Sequence, residues 1–229
     1  MDQTILFRIG PVAITDVLVV SWAVMAVIIG FAAAVRMKLR KDNPGKVQQV
    51  VEAMIEWLGA ETRNIVNRDP GPFIPVVASL FIFILVSNLF SLVSSFVPGV
   101  TPPTANVAVT FGLATVVFFA VPFYGVLMTG AFNYLKTYVH PTWIMLPLNI
   151  ISDLSRTLAL AVRLFGNIFS GEILFGVILS IVPLILPAAL MFLSLITGTI
   201  QAYIFAVLAI VYIGGAVKVV EKHVEKEAA

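Results

Sequence analysis

The chain contains no cysteine and only two histidines, His140 and His223. Without thiols there is no disulfide framework, thiolate metal centre, iron–sulfur cluster or cysteine nucleophile, and two histidines leave little for a metal site. Charge is scarce as well: 14 basic and 12 acidic side chains make up 11% of 229 residues, against about 25% in an average soluble domain. Apolar residues fill the difference. They account for 60% of the chain, mean hydropathy is +1.04, and runs of roughly 20 or more apolar residues recur, which suits the hydrocarbon core of a bilayer. A soluble enzyme is excluded. The pI near 9.0 reflects a net charge of only +2, with basic residues beside apolar runs, where they orient a membrane protein and give no case for nucleic acid.

The hydropathy pattern predicts an all-α integral membrane protein of five crossings. Val17 to Val35 is followed by Arg36, Lys38, Arg40, Lys41 and Lys46, with only Arg8 before it. That asymmetry predicts an external N-terminus and an uncleaved first span, because a signal peptide carries its positive residues ahead of the apolar stretch. Lys46 to Arg68 then alternates apolar and acidic positions in an amphipathic helical pattern, expected along the cytoplasmic interface or packed on a partner subunit. Asp69-Pro70-Gly71-Pro72 breaks it. Residues 1–71 thus read as a span plus an interfacial helix, and 72–229 as the remaining helices of a single membrane domain. Phe73 to Val97 leads out to an uncharged turn at Pro98-Gly99 and Pro102-Pro103, Asn106 to Phe132 returns, and Lys136 with His140-Pro141 marks the cytoplasmic side. Leu148 to Val182 goes out and Pro183 to Val217 comes back, ahead of Lys218, Lys222 and Lys226 inside. As helices these last two stretches run about 52 Å at 1.5 Å per residue. The hydrocarbon core is ~30 Å, so they are expected to tilt by about 55°, beyond the usual range.

All but four charged residues lie in termini, loops, the amphipathic segment or span ends; the four are Asp153, Arg156, Arg163 and Glu172, on one expected helix. A charge at a helix centre costs about 2.5 to 3.5 kcal/mol on the insertion scale, so four on one helix require a polar environment or a partner. At 100° per residue Asn149, Ser152, Arg156, Arg163, Asn167 and Ser170 share one stripe, whereas Glu172 lies about 180° from Arg163 and roughly 13 Å along the axis. Arg163 is too deep in the apolar run to snorkel, and a functional role is favoured over a structural ion pair. Glu172 reads as an ion-access carboxylate, with a buried structural carboxyl as the alternative. Asp153 and Arg156 read first as a local pair three residues apart. On the last helix Ser194, Thr197, Thr199 and Gln201 form a sparse polar patch with Gly198, where Gln201 stands out as a long amide in an apolar run, expected within a turn or two of Arg163.

Arg163-Leu164-Phe165-Gly166-Asn167 followed by Ser170-Gly171-Glu172 closely resembles subunit a of the membrane sector of F-type ATP synthases. Gln201-Ala202-Tyr203-Ile204-Phe205, Val211-Tyr212-Ile213, Ser87-Asn88-Leu89-Phe90 and Pro103-Thr104-Ala105-Asn106-Val107 reinforce the likeness, which runs from about Phe73 to the end of the last span. The resemblance implies a single-copy stator subunit beside a rotating ring of c subunits, joined to the subunit b stalk, with two long tilted helices and two offset half-channels for the coupling ion. It implies that Arg163 is the essential stator arginine, Asn167 and Gln201 its polar neighbours, and Glu172 an ion-path carboxylate. Asn149, Ser152, Asp153, Arg156, Ser170, Ser194 and Thr197 are the further candidates for channel lining. Ser194 stands where some members carry a histidine, and Asn149 where some carry a glutamate. The expected ion is H+, with Na+ the alternative, and the expected location a bacterial inner membrane. No cofactor is expected, and the absence of a phosphate-cradling GxxxxGK[ST] implies a non-catalytic subunit. A self-contained carrier or channel, and a mere structural anchor, are the competing readings.

The charge pattern predicts that a cysteine replacing Lys136 reacts with an impermeant thiol reagent only from the cytoplasmic side. Labelling of Lys136→Cys from outside in intact cells contradicts the five-crossing layout.

Overall fold

The computed structural model describes residues 5–9, 12–39, 45–94, 101–139, 143–182 and 185–228. Among the described residues five helices are long and apolar enough to cross a membrane, as the hydropathy pattern predicts. They are α1 (Asp16–Met37), α3 (Ile74–Ser94), α4 (Val107–Thr129), α6 (Met145–Ile181) and α7 (Ile185–Ala228), joined by the amphipathic α2 (Lys46–Val66) and the short α5 (Ala131–Val139). Pro98-Gly99, His140-Pro141 and Pro183 fall outside the described residues.

Two features are additions to the expected layout. The antiparallel strands β1 (Ile5–Ile9) and β2 (Val12–Thr15) precede α1 and pair Ile9 with Val12; both are short and rich in β-branched residues, which favour extended backbone. The third span stops at Thr129, short of the expected Phe132. Gly130 adopts φ +85°, a conformation that suits glycine alone, and the chain turns there into α5. The Tyr134 ring then lies against Gly125, where a side chain would collide with it.

The core is organised around α7. Its residues Ala202, Phe205, Ala206, Ala209, Ile210 and Ile213 are buried, at spacings of three and four that make one stripe. Small residues on that stripe let neighbouring backbones approach, as is usual between helices in lipid. A Cβ on Gly198 would stand 3.1 Å from the Asn88 Cβ on α3, and one on Gly214 would stand 3.0 Å from Val66 Cγ2 on α2. The amphipathic helix is therefore seated on its own chain: Leu58, Gly59, Thr62 and Val66 are buried, and the Trp57 ring centroid is 5.2 Å from that of Tyr203. At its end Asn67 takes the left-handed cap conformation and donates to the Arg63 carbonyl at 2.8 Å. Lys218 Nζ reaches the Ile65 carbonyl at 2.6 Å, satisfying an orphan acceptor of the last turn.

Helix α6 sits differently. Only 11% of its most apolar stretch is buried, against 50% for α7. Leu160, Ala161, Leu164 and Ile168 make the one stripe it packs inward, while Leu154, Leu158, Val162, Ile173 and Val177 are exposed. Pro147 lies in its first turn, where the missing amide has no carbonyl to meet. At 37 residues it is about 55 Å long. Helix α7, at 44 residues, runs beyond the expected Val217 and carries the charged segment from Lys218 on as continuous helix.

Candidate functional site

The polar residues of α6 separate into three groups. Near its N-terminal end Asn149, Ser152, Asp153 and Arg156 line one cavity of about 480 Å3, together with Thr157 and with Tyr212 of α7. The opposite wall is apolar, formed by Val117, Phe118, Val121 and Pro122 of α4. Pro122 lacks the amide that would bond to the Phe118 carbonyl four residues back, so a backbone acceptor is left without its helical partner beside this cavity. Arg156 Nη1 lies 3.9 Å from Asp153 Oδ1, the expected pair three residues apart, and its guanidinium also stands 5.7 Å from the centre of the Tyr212 ring.

Mid-helix, Arg163 occupies the exposed side of α6 beside exposed Val162. It makes no ion pair or hydrogen bond among the described residues. Asn167, one turn on, is half-buried, and Ser170 is exposed. Glu172 follows nine residues after Arg163 in an unbroken helix, hence half a revolution and about 13 Å away. Its Oε2 is buried with no hydrogen-bond partner among the described residues.

On α7, Ser194 Oγ stands 3.0 Å from where a Gly171 Cβ would be, which fixes the register of the antiparallel pair α6 and α7. Arg163 is eight residues before Gly171 and Gln201 seven after Ser194, so both lie at nearly one level, about 10 to 12 Å from the contact. Their side chains differ in environment: Arg163 is exposed, and Gln201 is buried. Thr197 is satisfied within its own helix, donating to the Leu193 and Ser194 carbonyls, and Thr199 donates to Leu195.

One polar group was not singled out by composition or spacing. Asn88, buried on α3, donates from Nδ2 to the Gly198 carbonyl at 2.7 Å and accepts at Oδ1 from Thr104 Oγ1 at 2.8 Å. Thr104 sits in the 3-10 turn Pro103–Ala105. The neighbouring Ser87 Oγ is buried without a partner among the described residues, as is Thr101 Oγ1. Gly198 is one turn from Ser194, so this cluster adjoins the Gly171–Ser194 contact and the Glu172 side of α6. The signal available was the one that marks Gln201, a long amide inside an apolar run. Among the described residues no group of three or more His, Asp or Glu could hold a metal.

Comparison with known proteins decides the family. The model of the ATP synthase A chain matches residues 18–214. The chain belongs to the family of F-type ATP synthase subunit a. It is 44% identical over 223 residues to ATP synthase subunit a 2 of Picosynechococcus, covering 96% of this chain and 94% of that one. It is 42% identical over 219 residues to ATP synthase subunit a 2 of Acaryochloris marina, covering 95% and 92%. Against ATP synthase subunit a 2 of Bradyrhizobium the identity is 40% over 222 residues, 97% of each chain. As a subunit a it is an integral membrane protein, a stator component of the ATP synthase, in a family whose general role is ion conduction.

The buried cluster yields a graded prediction. Asn88→Leu leaves the buried Thr104 hydroxyl without its acceptor, at about 1–3 kcal/mol, and also removes the Gly198 carbonyl's bond from outside its own helix, at about 1 kcal/mol, whereas Thr104→Val leaves only the Asn88 Oδ1 unpaired, at about 1–3 kcal/mol. Thermal unfolding of the purified complex, followed by release of this subunit, should rank the parent above Thr104→Val and both above Asn88→Leu.

Proposed function

We propose that the chain forms the stationary side of an ion path: two half-channels, offset along α6, that carry H+, or Na+ as the alternative, to and from carboxylates on a ring of c subunits. Arg163 is the charge barrier between them. The observation that carries this reading is the placement of Arg163, a guanidinium on the open side of the least covered long helix, without a partner among the described residues. A charge there calls for an acidic counterpart outside the chain. A ring of c subunits on the exposed side of α6 would supply it, while subunit b of the stalk would hold the stator in place, with one copy of this chain per complex.

The inner half-channel is assigned to the cavity of Asn149, Ser152, Asp153 and Arg156. The outer is assigned to Glu172, with Ser170, Ser194 and Thr197 and the Ser87 and Asn88 cluster beside it. The cavity group and Glu172 lie at different heights, and Glu172 is on the side of α6 opposite Arg156 and Arg163, as an offset pair of paths requires. Asn167 and Gln201 flank the level of Arg163. The orientation follows from the basic loops, with the N-terminus outside and the C-terminus cytoplasmic in a bacterial inner membrane.

The chemistry is electrostatic. A guanidinium keeps its charge when desolvated and favours the ionised form of a carboxylate that comes to face it. An arriving ring carboxyl then releases its ion into one half-channel, passes the arginine, and reloads from the other. The fixed charge also repels any cation that would cross directly. Each ion moving through 100 mV delivers about 2.3 kcal/mol, which rotation accumulates for ATP formation elsewhere in the complex. The chain itself is non-catalytic.

In vesicles reconstituted with the whole complex, Arg163→Ala should abolish ion-driven ATP synthesis while subunit composition stays normal. Arg163→Lys should recover little, since a compact ammonium has different reach and loses its charge more readily when desolvated. Glu172→Asp should retain most of the rate and Glu172→Leu should lose it. Normal synthesis by an assembled Arg163→Ala complex contradicts the mechanism, and normal coupling by Glu172→Leu at every pH removes the carboxylate from the path.

A further inference from the structure

The cavity at the N-terminal end of α6 contains a fixed cation held by two neighbours. Arg156 stands 5.7 Å from the Tyr212 ring centre and 3.9 Å from Asp153, and all three line the same space. A separation of 3.9 Å is too long for a hydrogen bond, so Asp153 attracts the guanidinium without locking it. The aromatic face, within the ~6 Å at which a ring attracts a cation, supplies the second hold. The Arg156 side chain is 56% exposed and that of Asp153 25%, which makes the cation the more accessible of the two charges. The other ionisable group on the cavity wall is Tyr134 of α5, and α4 contributes apolar side chains there.

We infer that Tyr212 is a positioning residue that holds Arg156 in this cavity, and that Arg156 so placed sets how readily the coupling cation enters from the cytoplasmic side. The inference rests on reading the cavity as the inner half of the ion path. A guanidinium in the cavity lowers the local concentration of any cation, and the carboxylate behind it raises it. The two effects balance only while the arginine stays beside the aspartate. Without the ring, the long side chain follows its charged head into water, and Asp153 then dominates the field.

The test uses inverted vesicles containing the whole complex, with the cytoplasmic face towards the bath. ATP-driven ion uptake is measured against bath pH at fixed Na+, and against bath Na+ at fixed pH. Arg156→Gln should lower the half-saturating cation concentration about three- to tenfold, the effect of a unit charge several ångströms away at intermediate dielectric. If the ion is H+, the midpoint moves to higher pH by about 0.5 to 1 unit. Tyr212→Leu should reproduce this shift, Tyr212→Phe should restore the parent midpoint because the aromatic face remains, and Asp153→Asn should move it the opposite way. Added salt should shrink all three displacements. Midpoints unchanged by Arg156→Gln, or a Tyr212→Leu complex that behaves as Tyr212→Phe does, overturn the inference. Asn149→Cys separates the two levels of failure. If a bath thiol reagent labels it and slows pumping, the cavity carries ions, and an unmoved midpoint then sinks the role of Arg156 and Tyr212 alone. If the reagent neither labels nor slows, the reading of the cavity fails and the inference falls with it.

Discussion

A guanidinium stays charged wherever it is placed, and putting one in the middle of an apolar helix is the constraint around which this molecule is arranged. Arg163 lies on a helix that its own chain leaves largely uncovered, so its charge is kept out of the packed interior and remains available to whatever meets that side. The interior is built elsewhere. Helix α7 takes the central place, and its glycines and alanines let α2 and α3 close in while α6 is held by one stripe only. A chain that buried both long helices equally would have had to bury the arginine as well, at a cost of several kcal/mol.

The remaining polar groups gain meaning from their spacing relative to that charge. The cavity group ends about two turns before Arg163, and Glu172 lies about two and a half turns after it, hence half a revolution round. Under the proposed mechanism, this offset between the cavity group and Glu172 is what keeps two aqueous paths apart at the arginine. The close Gly171–Ser194 and Gly198–Asn88 approaches keep α6, α7 and α3 in fixed register, so the offset is a property of the packed helices and does not depend on loops.

Much of this was legible in the sequence because the bilayer imposes coarse, local rules. Apolar run length and basic flanks gave five spans, excess length marked the last pair, and a spacing of three placed Asp153 beside Arg156. What local pattern could not show is what depends on distant partners. Asn88 meets Gly198 across 110 residues, and no periodicity within α3 points to that carbonyl. Tyr212 looks like any aromatic residue on an apolar helix until α7 is packed beside Arg156. The short α5 hinges on the positive φ of Gly130, one glycine among 15, and the β1 and β2 pair is too short to register against the hydropathy of the first span. Helical phase set Glu172 opposite Arg163, but phase alone could not say that Arg163 would be exposed and Gln201 buried at nearly the same level.

The central claim is that one fixed positive charge keeps two ion paths apart, and passive flux measures this most directly. Membranes containing the assembled complex, without nucleotide, are given an imposed ion gradient, and its decay is followed for the parent and for Arg163→Ala. The account predicts slow decay in the parent and faster, saturable leak in the variant, as ions pass from one half-channel to the other through the ring sites. Assembled Arg163→Ala membranes that hold the gradient as tightly as the parent would contradict it.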